Sequence, residues 1–130
     1  AIGGLTDEYD PKSLKELSRY FEEFRTEGII DIHKVRAIRA GRFHHIDAHL
    51  VVPEFWDIRR IDDMAHDFES RVVQKYPFDG EIAFHLDPCL RKYCTICDVQ
   101  DCQIRLKPFE KRREFVFSGI IQEPQYTDGV

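Results

Sequence analysis

Hydrophobic positions recur along this chain in two alternating rhythms, and the rhythms predict an α-β-β-α-β order of elements. Asp10-Pro11 reads as a helix start, with Asp10 as N-cap and Pro11 at the first helical position, where its missing N–H costs nothing. Leu14, Leu17, Phe21 and Phe24 follow at helical spacing, and Gly28 is the natural stop. Residues 29–39 read as a strand, Ala40-Gly41-Arg42 as a tight turn, and residues 43–52 as a second strand, ended by Pro53. In that second strand Ile46, Ala48, Leu50 and Val52 point one way, and His45, Asp47, His49 and Val51 the other. Ile58, Ile61, Ala65, Phe68, Val72 and Tyr76 then form the stripe of a long amphipathic helix, stopped by Pro77. Residues 81–87 are a third strand, with Ile82, Phe84 and Leu86 on one face and Ala83, His85 and Asp87 on the other. A crossover helix between the second and third strands puts the third beside the hairpin, with both helices packed on one face of the sheet.

The second face of that sheet carries the chemistry. His49, His85 and Asp87 share it, and His33 joins them because it alternates with Ile30 and Ile32. Imidazole and carboxylate gathered on adjacent strands suit a borderline divalent cation; the alternative is a solvated face of a half-exposed sheet. His44 and His45, at the hairpin, read as solvent-facing, and Trp56 as a loop anchor just before the second helix.

Composition narrows the classes. The 130 residues suit one domain, and ten Phe, five Tyr and one Trp supply the bulk for a core. The longest apolar runs are a few residues, far short of the ~20 that a membrane span needs. The first residues, Ala1 to Leu5, lack the basic and apolar stretches of a secretory signal. A net charge of −5 opposes non-specific nucleic-acid binding and is compatible with cations.

All four cysteines lie in one stretch, Cys89-x4-Cys94-x2-Cys97-x4-Cys102. Three readings remain open: small-loop disulfides, a thiol redox pair on Cys94 and Cys97, or a thiolate metal site. The two-residue gap suits a knuckle that turns both sulfurs toward one soft ion. A zinc-knuckle module binding nucleic acid is disfavoured by the acidic balance.

Four segments in order, His33 to Gly41, Ile46-Asp47-Ala48-His49-Leu50, Ala65-His66-Asp67-Phe68-Glu69 and His85-Leu86-Asp87-Pro88-Cys89, resemble the cytoplasmic C-terminal domain of the cation diffusion facilitator family of proton-coupled metal efflux transporters. The resemblance runs from about Asp10 to Cys89. It implies an α+β two-layer sandwich of metallochaperone or ferredoxin-like type, without enzymatic activity, on the cytoplasmic side of a membrane transporter. The implied partners are a second copy of the chain and the transporter's own membrane domain, with no nucleic acid. The implied organisation is residues 1–9 as a linker from the membrane domain, 10–88 as the family domain, and 89–130 as a Cys-rich C-terminal extension and tail.

Carried over by position, the family's interface metal ligands fall on His33, His49, His85 and Asp87. A further family His near the start of the second helix is replaced by Asp62, with His66 one turn on. The implied cofactor is Zn2+, with other divalent transition metals as alternatives, and the implied role is metal sensing by a dimer. Cys89, Cys94, Cys97 and Cys102 depart from the family's short tail and are read as further metal ligands, which would favour Zn2+, Cd2+ or Cu+ over Mg2+. Lys111-Arg112-Arg113 reads as a solvated turn able to touch a membrane surface, Phe115 to Phe117 as packing residues, and residues 122–130 as frayed.

Overall fold

The computed structural model of the chain describes residues 6–7 and 10–123. Its elements are β1 (Thr6–Asp7), α1 (Pro11–Phe24), β2 (Asp31–Ala40), β3 (Phe43–Val52), α2 (Ile58–Lys75), β4 (Asp79–Pro88), a 3-10 helix (Arg91–Ile96) and α3 (Phe117–Ile120). The expected α-β-β-α-β order is therefore present. β1 adds a two-residue edge strand, so the sheet runs β1-β2-β3-β4. β2 and β3 form the antiparallel hairpin, and β4 lies parallel to β3 after the α2 crossover.

Each helix starts where a side chain satisfies its free amides. Asp10 accepts from the Lys12 amide at 3.1 Å, and Asp57 accepts from the Arg60 amide at 2.8 Å. The apolar stripes of α1 and α2 then meet the core face of the sheet. Leu14, Leu17, Phe21, Phe68 and Val72 pack against Ile46, Ala48, Leu50 and Ile82, each at most 4% exposed. Ile58, placed in the α2 stripe by its spacing, is 85% exposed at the first position of the helix.

β2 is not regular. His33 pairs with His49 but Arg36 pairs with Asp47, so Lys34 and Val35 together oppose Ala48. This is a bulge of one extra residue, and Lys34 takes a left-handed φ of 51° there. The bulge shifts the phase of the strand, so that Ile32, Val35 and Ala37 all reach the core. An unbroken alternation would have turned Lys34 and Arg36 inward instead.

The opposite face of the sheet is not simply wet. Ile30 and Val51 are buried under Trp56, Tyr93, Cys97 and Val99 in a second apolar cluster. Ile30 thus lies on the side away from Ile32, contrary to simple alternation, because it precedes β2 and its amide bonds the Val51 carbonyl at 3.0 Å. Gly28 makes the approach possible. It has φ 96°, and a Cβ there would meet the Trp56 ring at 2.4 Å. The chain after Cys89 therefore builds a wall of the domain, and its last part crosses to the main core, where Phe115 and Ile120 are buried.

Candidate metal centre

Strand register places the candidate ligands in rows across the sheet. His33, His49 and His85 are directly opposed on β2, β3 and β4, and Asp31, Val51 and Asp87 form the neighbouring row. All of these side chains leave the face away from the helices, as the alternation of β3 and β4 requires. The rings stack in sequence, His33 on His49 with centroids 5.5 Å apart and His49 on His85 at 4.9 Å.

His33, His49 and Asp87 each present one ligand atom, all within 4.8 Å of one another, and they are the only group of three potential ligands this close among the described residues. Asp87 Oδ2 lies 3.1 Å from His49 Nδ1 and 3.2 Å from His33 Nε2. His33 is 1% exposed, and neither of its ring nitrogens has a hydrogen-bond partner. A buried imidazole that makes no hydrogen bond is costly, even with carboxylates close by. Two nitrogens and a carboxylate oxygen with one side open to solvent are the donor set for a tetrahedral divalent ion. The residues present therefore fit a metal.

His85 stands beside this group rather than within it. Its ring is exposed, with Nε2 3.8 Å from Asp47 Oδ1. Asp62 lies on an exposed turn of α2, where it pairs with His66 at 3.3 Å. It does not meet the histidine row within one copy of the chain.

The four cysteines are all free thiols. Cys94 and Cys97 are buried, whereas Cys89 and Cys102 are half-buried. Burial, reinforced by the charge of the other three sulfurs, pushes the Cys89 thiol up to about 11. Burial also raises that of Cys97. Arg105 fastens the loop by donating to the carbonyls of Cys94, Cys97 and Val99 at 2.6–2.8 Å. No three sulfurs approach one another as closely as the His33 group does.

Some neighbouring expectations change. His44 is buried, not solvent-facing: it points to the core side of the hairpin, with Nδ1 2.8 Å from the Tyr76 hydroxyl and its ring stacked on Phe78. His45 is exposed as expected and pairs with Glu81 at 2.8 Å. Lys111-Arg112-Arg113 is not a freely solvated turn. Arg112 donates to Asp98 at 2.6 Å, and Arg113 to the buried Asp31 at 3.0 Å. Gln122, read as the start of a frayed tail, accepts the Lys34 amide at 2.8 Å. The remaining tail residues, 124–130, and most of the proposed linker lie outside the described residues.

A comparison with protein families matches residues 10–89 to the cytoplasmic domain of cation efflux proteins. The chain belongs to this family. It is a cytoplasmic domain of cation efflux proteins, a dimerisation domain in a family of transporters rather than enzymes. Solved structures of similar fold include CzrB, described as a candidate zinc transporter, at 18% identity and a TM-score of 0.57 over 62% of this chain and 98% of that one. Another is the metal-bound C-terminal domain of the CzcD transporter from Thermotoga maritima, at 14% identity and 0.53 over 59% and 87%. At these identities the likeness shows a shared fold. No curated protein matches the chain. No described helix of this efflux domain is long and apolar enough to cross a membrane. The family match stops at Cys89, so Cys94, Cys97 and Cys102 lie beyond it.

Proposed function

We propose that this efflux domain is a regulatory zinc-binding dimer, in which His33, His49 and Asp87 hold the ion and His85 extends the site toward a partner copy. The observation that carries the reading is the buried His33 ring, which makes no hydrogen bond and holds Nε2 3.2 Å from Asp87 on the open side of the sheet. The metal-bound state described for CzcD supports a metal role for the fold. Exposed His85 and Asp62 are then free to complete the site across two protomers. An ion that binds the closed dimer more tightly than the open one shifts the population toward closure, and closure biases the attached membrane helices. Binding requires neutral imidazoles, so affinity falls as pH drops.

Cys89, Cys94, Cys97 and Cys102 form a second, softer site in this proposal. Their support is that four free thiols fall in the one short stretch from Cys89 to Cys102, whose loop Arg105 clamps. A redox pair is disfavoured, because Cys94 lies inside a 3-10 turn and the Cys97 thiol is raised rather than lowered.

Titration of Zn2+ into the chain, followed by small-angle scattering, tests the switch. Compaction of a dimer is expected, and it is lost with His49→Ala and Asp87→Ala combined. Binding without any change in scattering would sink the switch and leave a static metal. Zinc-to-protein stoichiometry with all four cysteines changed to Ser reads the second site separately: loss of one equivalent supports it, and an unchanged ratio removes it.

A further inference from the structure

The histidine row has a second layer that comes from outside the matched family segment. Asp31 sits one row from His33 on β2 and is 1% exposed. Its Oδ2 lies 3.5 Å from His33 Nδ1 and accepts from Arg113 Nη1 at 3.0 Å. Arg113 is 82 residues further along the chain, in the extension, shortly before α3. It is itself held in place, since its carbonyl accepts from Arg25 Nη1 at 2.8 Å. The Arg25 guanidinium in turn lies 3.9 Å above the Phe115 ring.

A buried carboxylate without a countercharge is strongly disfavoured. Arg113 supplies that countercharge beside His33. An acceptor oxygen facing Nδ1 favours the N–H on that nitrogen, which leaves the Nε2 lone pair directed at the space shared with Asp87 and His49. That is the outer-layer arrangement of a carboxylate, a histidine and a metal. Its geometry is ready but slack: the 3.5 Å separation and the unpaired His33 Nδ1 mark a contact that an ion on Nε2 would tighten.

We propose that Arg113 and Asp31 are positioning residues for the metal centre, so that the Cys-rich extension sets the affinity of the histidine site through the Arg113–Asp31–His33 chain. The proposal rests on the reading of His33, His49 and Asp87 as a zinc site. It also gives the extension a role that its cysteines do not explain, because Arg113 acts on the family site from residues the family match does not include.

The test is Zn2+ affinity by chelator competition on the whole chain, in parallel with the tautomer of His33 read by nitrogen NMR of the imidazoles. Asp31→Asn and Arg113→Gln are each expected to weaken zinc binding ~10–100-fold, the range for outer-layer partners of metal-bound histidine. Arg113→Lys keeps the charge and is expected to recover most of the affinity. Arg113→Gln leaves a buried carboxylate unpaired and can fail to fold for that reason alone. The double variant Asp31→Asn with Arg113→Gln removes both charges. It is expected to regain thermal stability while zinc affinity stays low and His33 loses its Nδ1–H tautomer. Full affinity with an unchanged tautomer in the double variant would overturn the relay. If the unmodified chain binds no zinc, the reading of the site fails first, and the relay with it.

Discussion

His44 is two residues before the core residue Ile46 and faces the same side of β3, where it is closed in by Tyr76 and Phe78. Burial holds its pKa below the ordinary value, with a smaller contribution from the Arg39 charge. The ring is therefore neutral in the fold at pH values where the unfolded chain, with an imidazole pKa near ~6.5, already takes up a proton. The unfolded state binds more protons, so stability falls as pH drops below that value and continues to fall until the folded-state pKa is passed. Urea midpoints measured from pH 8 to pH 5 are expected to decline more steeply for the natural chain than for His44→Asn, so the gap between them narrows. Parallel curves would show that His44 does not titrate differently on folding. By sequence, His44 and His45 alike read as solvent-facing at the hairpin; alternation separates their faces, and Tyr76 and Phe78, some thirty residues on, close over His44 alone.

At the scale of elements, the bulge in β2 reconciles two demands of the sequence. His33 must stay on the face of the histidine row while Val35 and Ala37 reach the core, and one extra residue changes the phase between them. The cost falls on Lys34, a side-chain-bearing residue at φ 51°. The left-handed region costs such residues ~1–2 kcal/mol, and glycine enters it freely. Lys34→Gly is accordingly expected to raise stability by up to ~1 kcal/mol in chemical denaturation, and Lys34→Val to lower it. The Lys34 amide is spent on the Gln122 carbonyl rather than on β3, which ties the segment just after α3 to the bulge. Bulges commonly occur beside functional sites because they re-aim side chains. Here the bulge begins one residue after His33.

For the whole molecule, the extension beyond Cys89 acts as structure as much as a carrier of cysteines. Tyr93, Cys97 and Val99 cover Ile30, Val51 and Trp56, and Phe115 and Ile120 enter the main core. Emptying a buried Phe position alone costs ~3–5 kcal/mol, against a total stability of ~5–15 kcal/mol for an ordinary domain. A chain cut after Leu90, which keeps the matched family segment, is expected to melt well below the full chain or to bind a hydrophobic dye without a cooperative transition. An equal melting temperature would mean that the sheet's second face is stable without its cover. On the same face His33 and Asp31 are almost fully enclosed, and Arg113 of the extension pairs with Asp31 there.

The sequence by itself determined the α-β-β-α-β order, the start of the first helix at Asp10, and the side of the sheet on which His49, His85 and Asp87 emerge. These are local properties: caps act within a turn, and the two-residue and 3.6-residue periods fix which face a side chain takes. It also put His33 on that side, although the regular strand it assumed is broken one residue later. Only the tertiary structure decided that His33, His49 and Asp87 converge while His85 and Asp62 stand apart. It alone brought the extension over Val51 and set Arg113 against Asp31. Those contacts depend on register and on packing between residues far apart in the chain. Burial then turns a distant arginine and an ordinary carboxylate into neighbours that must be paired.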